Sequence, residues 1–193
     1  MEVNAKSSGF NEGSIKGMGG TGRFWVAELV LRVLAVATTL AAAIIMGEAK
    51  ETETVPVQLT PSLPAIPVAA TAKSSYSSAF VYFVVANAIA CGYSIVSLGG
   101  AMASKGKRGK LAVLMLIMDE IMVALLFSGN GAAAAIGVVG EKGNSHVGWN
   151  KICNVFTKFC SHVKASVMVS LVGALAYLLL ASFRIISLHK RDP

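Results

Sequence analysis

The sequence has few charged residues for its length. Only 14% of its 193 residues are Asp, Glu, Lys or Arg, and 54% are hydrophobic, whereas a soluble domain carries about 25% charge. This shortage excludes an ordinary soluble domain and indicates a membrane protein. The net charge of +7 comes from basic residues that flank apolar runs, without interleaved aromatic residues on a soluble face. We therefore expect these basic residues to face anionic membrane lipid, and we expect no nucleic-acid partner.

The first 23 residues lack a hydrophobic segment. They are polar and rich in Gly and Ser, so we expect no secretory signal, and Glu2 at the second position excludes N-myristoylation. A segment with so few large apolar side chains cannot offset the entropy lost on ordering. We predict a disordered cytosolic tail over residues 1–23.

The usual signatures of catalysis are also missing. The three histidines each lie beside an apolar run, and none has a partner that would complete a catalytic triad. The glycine-rich GMGGTG near the N-terminus has no strand before it and no Lys-Ser/Thr after it, so it does not indicate a phosphate-binding loop. We expect no enzyme activity, no cofactor and no metal.

Four apolar runs are present, and each is long enough to cross a bilayer as a helix. The predicted spans are residues 24–46, 79–103, 111–139 and 164–187. Short connections between consecutive spans imply antiparallel neighbours. The sequence therefore predicts an all-α integral membrane protein, an antiparallel four-helix bundle with up-down-up-down topology.

The connection at residues 104–110 sets the orientation. It contains four basic residues and no acid, namely Lys105, Lys107, Arg108 and Lys110. Such a basic loop favours the cytosolic side, which places both termini, including the tail at 188–193, in the cytosol and residues 47–78 and 140–163 outside. Arg184 would then lie close enough to the inner face to extend its charge to the cytosolic surface. A lipid-specific role of this loop is the alternative to a simple topology signal.

The first outer loop, residues 47–78, holds four of the five prolines, at positions 56, 61, 64 and 67. Their spacing excludes a regular helix. We expect an extended, mildly apolar segment that lies on the membrane or against a partner.

Two charged residues of opposite sign lie at the same depth in the bilayer. Arg32 is eight residues into the first predicted span and Asp119 eight residues into the third, so each lies about 12 Å from the cytosolic surface. A lone charge there would cost several kcal/mol. We therefore predict an Arg32–Asp119 ion pair between helices. The alternative partner of Arg32 is Glu28, four residues earlier on the same helix face.

Other polar residues within the spans allow a different interpretation. Glu120 stands beside Asp119, and Asn87 lies within the uncharged second span. A proton or ion relay through the two acids is a functional alternative, although the outer half of the third span offers it only Ser128 and Asn130. Asn87 is expected to hydrogen-bond across a helix interface.

Cys153 and Cys160 are the two cysteines of the second outer loop, where an oxidising environment favours a disulfide. On a straight helix their Cα atoms would be about 10.5 Å apart, beyond the ~7 Å limit for a bridge. An intramolecular bridge therefore requires a bend between them. The alternatives are a bridge to another molecule and a metal site with His146 or His162, although the spacing is a weak match to metal motifs.

Four stretches, occurring in order, resemble the Casparian strip membrane domain protein-like family of plants. They are LVLRVLAVATTLAA, SAFVYFVVANAIACGYSIVSL, LMLIMDEIMVALL and GWNKICNVFTKFC. The resemblance implies a four-span plasma-membrane protein with cytosolic termini, related to MARVEL-type tetraspans, and it places the family's membrane arginine and aspartate on Arg32 and Asp119. It also implies homo- and hetero-oligomers with family members. The strip-forming members share a short motif in the first outer loop, where this chain has TVPVQLTPSLPAIPV, and this difference indicates a "-like" member.

The function predicted from these features is a non-enzymatic plasma-membrane scaffold. It would oligomerise into membrane domains and organise local modification of the cell wall, as the best-studied relatives do. The alternative function is a small channel or transporter subunit that uses the Arg32 and Asp119 pair.

Overall fold

The computed structural model describes residues 12–57, 64–103 and 109–189, with side chains described for 25–57, 64–100 and 113–186. Four long helices dominate these residues: α1 (Glu12–Gly47), α2 (Ser78–Ala103), α3 (Gly109–Lys142) and α4 (Thr157–His189). Each contains a segment long and apolar enough to cross a membrane: Trp25–Gly47, Ser78–Gly100, Val113–Lys142 and Thr157–Ile186. The predicted all-α, four-helix membrane fold is confirmed.

The helices are arranged as a ring of four. Each packs against the next one along the chain, and α4 packs back against α1. As a result, α1 and α3 lie diagonally across the bundle, as do α2 and α4. We refer to the end where α1 begins and α4 ends as the termini end, and to the opposite end as the hairpin end.

The interior of the bundle combines small and polar residues with large apolar side chains such as Phe83 and Leu126, whereas the outer surface is apolar. Side chains such as Val33, Val96 and Met168 face outward, as expected for a surface in contact with lipid. Small buried residues allow the helices to approach closely. At Gly173 on α4, an added Cβ would lie 2.8 Å from Thr38 Oγ1 on α1, so only glycine fits there without movement.

The outer segment between α1 and α2 forms an antiparallel hairpin of β1 (Lys50–Val57) and β2 (Ile66–Lys73). The segment is extended, as the prolines suggested, but the sequence did not predict its regular pairing. Pro56 and Pro67 face each other in the register. Proline is tolerated there because both strands of a two-stranded sheet are edge strands.

The hairpin is attached to the bundle. Glu51 Oε2 accepts a hydrogen bond of 2.8 Å from the backbone N–H of Phe159, in the first turn of α4. This contact places a carboxylate at the positive end of the α4 dipole. At the same open end of the hairpin, the backbone N–H of Ser74 donates to the carbonyl of Ala49. The sequence predicted that this segment lies on the membrane surface or against a partner. The structure shows that it also contacts the bundle itself.

Several boundaries differ from the predicted ones. Residues 12–23 were predicted to be disordered, yet α1 begins at Glu12. A span that is already helical supplies the nucleus, so each further residue can add a hydrogen bond without the cost of nucleation. The helices α3 and α4 also extend beyond the predicted spans, and the second outer connection shortens to residues 143–156.

Some sequence predictions concern residues that lie outside the ranges described by the structure. Residues 1–11 of the tail are among them, as are Lys105, Lys107 and Arg108 of the basic loop. Lys110 lies in the first turn of α3, with its side chain outside the description. The cytosolic orientation that these residues indicate stays a prediction.

Candidate functional site

Arg32 of α1 and Asp119 of α3 meet in the core near the termini end. Arg32 Nη2 donates to both carboxylate oxygens of Asp119, at 3.1 Å to Oδ1 and 3.0 Å to Oδ2. Both side chains are 0% exposed. These two helices are not neighbours in the ring but lie diagonally across it. The contact therefore crosses the interior of the bundle.

Two residues of α2 complete the surroundings of this pair. The Tyr93 hydroxyl donates to Asp119 Oδ1 at 2.8 Å, and the Tyr93 ring lies beneath the guanidinium of Arg32, with Cζ 5.6 Å from the ring centre. Arg32 Nη1 also donates to Ser97 Oγ at 2.6 Å. In a region without water these neutral groups take the place of solvent around both charges.

Arg184 of α4 brings the fourth helix to the same point. Its Nη2 donates to Glu28 of α1, and its Nε lies 3.5 Å from Asp119 Oδ2. Glu28 therefore pairs with Arg184 and not with Arg32, the alternative considered from the sequence. Arg184 was expected to extend its charge towards the cytosolic surface, but its side chain is only 11% exposed.

We refer to Glu28, Arg32, Asp119 and Arg184 as the charged cluster. Two carboxylates and two guanidinium groups balance in formal charge, and all four helices contribute to the cluster and its surroundings. A balanced set can remain ionised in a low-dielectric interior, whereas removal of one member leaves a buried charge uncompensated. The cluster therefore fixes how the four helices are placed relative to one another.

A second polar layer lies closer to the hairpin end and carries no charge. Ser170 of α4 donates to Asn87 Oδ1 of α2 at 2.8 Å and accepts from Asn130 Nδ2 of α3 at 3.0 Å. The structure thus gives Asn87 the interhelical partner expected from the sequence. One serine joins three helices here.

On α3, apolar side chains separate these two levels. The buried residues there between Asp119 and Asn130 are Met122, Leu126 and Gly129, and Met122 and Leu126 belong to one apolar cluster with Ala90 of α2 and Ala174 of α4. Leu126 and Ala174 are fully buried. Between the two levels, the described interior side chains of α3 are therefore apolar, whereas α2 and α4 contribute the hydrogen-bonded pair of Ser94 and Tyr177.

Glu120 lies elsewhere. It follows Asp119 on α3, but its side chain is exposed on the outer surface of the bundle. It has no hydrogen bond or ion pair with any residue in the described part of the chain. The two adjacent acids thus face in different directions, and the structure does not bring them together as a relay.

The two outer cysteines are linked by a disulfide with a Cα–Cα distance of 5.7 Å. The bend that the bridge requires is present because α4 begins only at Thr157, and the chain before it forms a turn in which Val155 N donates to Ile152 O. The bridge occupies both sulfur atoms, so they are not free to bind metal with His146 or His162. No group of three potential metal ligands occurs among the described residues.

Comparisons with known proteins identify the family of this chain. Residues 21–176 match the family model described as the Casparian strip membrane protein domain. The chain belongs to the Casparian strip membrane protein domain family. It is 54% identical over 167 residues to CASP-like protein 1E2 of Glycine max, and the aligned region covers 86% of this chain and 89% of that protein. No solved structure matches.

A second relative shows a similar degree of likeness. CASP-like protein 1E1 of Arabidopsis thaliana is 53% identical over 154 residues, which is 79% of this chain and 81% of the relative. The matched region of the family model contains both Arg32 and Asp119. The chain is therefore a multi-pass membrane protein of this family, and neither the family nor these relatives indicate an enzyme class.

Sequence reasoning missed Tyr93, Ser97 and Arg184 as members of this site. A signal for Arg184 was present, because Ser170, Tyr177 and Arg184 recur every seven residues and so share one face of α4. The structure buries that face: Tyr177 shares a hydrogen bond with Ser94 and also donates to the Ala90 carbonyl, both on α2. Tyr93 gives no comparable signal, since an aromatic residue in an apolar span is common.

Proposed function

We propose that this protein is a non-enzymatic scaffold of the plasma membrane, which assembles with copies of itself and with related proteins. The assemblies would form membrane domains that organise local modification of the cell wall. Membership of the family supports this role, and the observation that carries the proposal is the charged cluster. A cluster tied to all four helices gives a rigid unit, which a stable lateral assembly needs.

The distribution of chemistry over the molecule also favours assembly. The interior satisfies its own polar groups between helices, as Ser170 does for Asn87 and Asn130. The hairpin and the disulfide loop lie together at one end, where Tyr76 and Trp149 are exposed. Aromatic side chains are frequent in protein contacts because they combine large apolar area with a polar group. These residues supply a surface that the wall side of such a scaffold would use.

A channel or transporter subunit is the alternative from a different class. It would need a continuous polar path from the charged cluster to the other end of the bundle. Met122 and Leu126 lie along α3 between Asp119 and Asn130, and both are buried. The nearest polar group between the two levels, Tyr177, is itself held in hydrogen bonds to Ser94 and the Ala90 carbonyl. A path along α3 is therefore interrupted by apolar side chains, which favours the scaffold.

Photobleaching of a fluorescent fusion at the surface of plant cells tests the proposal. A scaffold recovers slowly, whereas a free four-span protein of similar size, used as the control, recovers quickly. Size measurement of the protein in mild detergent provides the second measurement, with assemblies larger than one chain expected. Free lateral diffusion together with a monomeric size would contradict the scaffold.

Charge movement in reconstituted bilayers tests the alternative directly. The scaffold predicts no current above that of empty bilayers. A current that disappears in Asp119→Asn, with the variant shown to be folded, would instead identify a channel.

A further inference from the structure

Glu120 is an ionisable side chain on the outer surface of a membrane-spanning helix. It lies nine residues from Leu111, where the predicted third span begins, which is about 13 Å into the span. A glutamate is too short to reach water from that depth. A carboxyl group exposed to acyl chains is costly, and such groups usually face other protein groups.

No described residue of the chain pairs with Glu120. It has no hydrogen bond or ion pair with another described residue. At the same depth, the outward side chains of the other helices are apolar, as Val33 on α1, Val96 on α2 and Leu179 on α4 show. Near this level, the exposed Ser182 of α4 already donates its hydroxyl to the Leu178 carbonyl of its own helix. Among the described outward residues, the polar group of a second copy that has no partner within its own chain at this level is therefore its Glu120.

The surface around Glu120 is shaped for a close helix contact. Going towards the hairpin end, the outward positions on the same side of α3 are Ala124, Phe127 and Gly131. A Cβ built on Gly131 would meet nothing within 4 Å, so the helix presents bare backbone to the outside. Small residues on an outer face allow a second helix to approach within hydrogen-bonding range.

We propose that the outer face of α3 formed by Ile117, Glu120, Ala124, Phe127 and Gly131 is the surface through which two copies of this chain associate. This inference rests on the proposed scaffold function and names the face that starts its assembly. All copies in one membrane share an orientation, so a two-fold axis normal to the membrane brings the same residues together. Glu120 then meets Glu120 of the second copy at equal depth.

The pairing follows from the chemistry of carboxyl groups. In the protonated form, each carboxyl has one O–H donor and one carbonyl acceptor. Two such groups that face each other satisfy both donors and both acceptors and leave no charge in the lipid. A glutamine at this position keeps a donor and an acceptor, whereas a leucine keeps neither.

Cysteine cross-linking at the face provides the first experiment. The full-length protein is reconstituted in phosphatidylcholine vesicles as Ala124→Cys and, separately, as Leu175→Cys. Leu175 is an outward residue of α4 and lies eleven residues from the Ile186 end of its span, as Ala124 does from Val113. Cys91 is buried and the other two cysteines are bonded, so mild oxidation reports the added thiol.

The expected result is a dimer for Ala124→Cys that is several times more abundant than for Leu175→Cys at the same protein-to-lipid ratio. Equal yields from the two positions would overturn the proposal. Non-reducing electrophoresis measures both, and omission of the oxidant gives the baseline.

Substitution at Glu120 provides the second experiment, with association measured by energy transfer between labelled copies. Glu120→Leu should weaken association about three- to tenfold, the effect of losing an interhelical hydrogen bond in a bilayer, and Glu120→Gln should retain most of it. Folding is checked by thermal denaturation, which neither substitution on an outer face should change. Unchanged association in Glu120→Leu would overturn the proposal.

The two proposals fail in different ways. If the wild type assembles and recovers slowly after photobleaching, but Ala124→Cys cross-links no better than Leu175→Cys, the face is wrong and the scaffold stands. If the wild type is monomeric and diffuses freely, the scaffold itself is wrong, and this face with it.

Discussion

The two ends of the bundle each contain an ion pair of similar length in a different environment. At the termini end, Arg32 and Asp119 are 3.0 Å apart and fully buried. At the hairpin end, Lys164 and Glu141 are 2.7 Å apart, with side chains 58% and 48% exposed. Water and salt screen the second pair, and the first has neither around it. These two ion pairs of similar length therefore contribute very differently to stability.

The hairpin end is held by bonds that do not depend on charge screening. There, a disulfide joins Cys153 to Cys160, and backbone hydrogen bonds pair β1 with β2. A covalent bond keeps its strength in water, whereas exposed ion pairs lose most of theirs. The comparison shows that the chain uses charge where lipid surrounds it and covalent bonds where water does.

The largest effect should follow from the removal of charge at Asp119. Asp119→Asn leaves Arg32 and Arg184 buried with only Glu28 to balance them, and loss of one partner from a buried pair costs about 3–5 kcal/mol. We expect little folded protein, measured as monodisperse yield and thermal stability in mild detergent.

The matched control for that substitution is Glu120→Gln, which makes a similar change one residue away on the outer surface. It should leave the thermal stability of the single chain unchanged. An equal loss of thermal stability in the two variants would show that a carboxylate in the charged cluster contributes no more to stability than one on the outer surface.

Loss of the disulfide should have the next largest effect. Replacing Cys153 and Cys160 together with serine releases a closed loop of a few residues, for which loop-closure entropy gives about 2 kcal/mol. Thermal denaturation of the double variant measures this effect. Addition of a reductant to the wild type should reproduce the shift, and a wild type insensitive to reductant would contradict the explanation.

The uncharged polar layer should give a smaller effect. Ser170→Ala removes the hydroxyl that joins Asn87 to Asn130, and hydrogen bonds between membrane helices contribute about 1 kcal/mol. Thermal stability should fall modestly. The control is Ser182→Ala, an exposed serine bonded only to its own helix at the Leu178 carbonyl, and it should change nothing measurable.

The exposed ion pair should have the smallest effect. Glu141→Gln breaks the contact with Lys164 in water, where such pairs contribute little. We expect no measurable change in thermal stability at physiological salt. A loss comparable to that of Asp119→Asn would contradict the contrast between the two ends.

The sequence predicted the fold because apolar length is a direct signal. Four long apolar runs with short basic or polar connections allow few arrangements other than an antiparallel bundle. Part of the site was predictable for a related reason. Depth follows from counting residues along a helix, and Arg32 and Asp119 are equally far from the ends of their spans.

The rest of the site could not be predicted in this way. The spans are apolar on all sides, so their sequence pattern does not show which face points inward. Arg184 was therefore expected near the membrane surface, and the outward position of Glu120 was not foreseen. The hairpin was missed because prolines usually argue against paired strands. Proline is tolerated here because both strands of the two-stranded sheet are edge strands.

By itself, the sequence determined the number of spans, the depth of each charged residue along its helix and the cysteines available for a bridge. These properties depend on distance along the chain. Only the tertiary structure decided that α1 and α3 lie diagonally, that Tyr93 and Arg184 join Arg32 and Asp119, and that two adjacent acids face in opposite directions. Those properties depend on the rotation of each helix about its axis, which is set by packing against the other three.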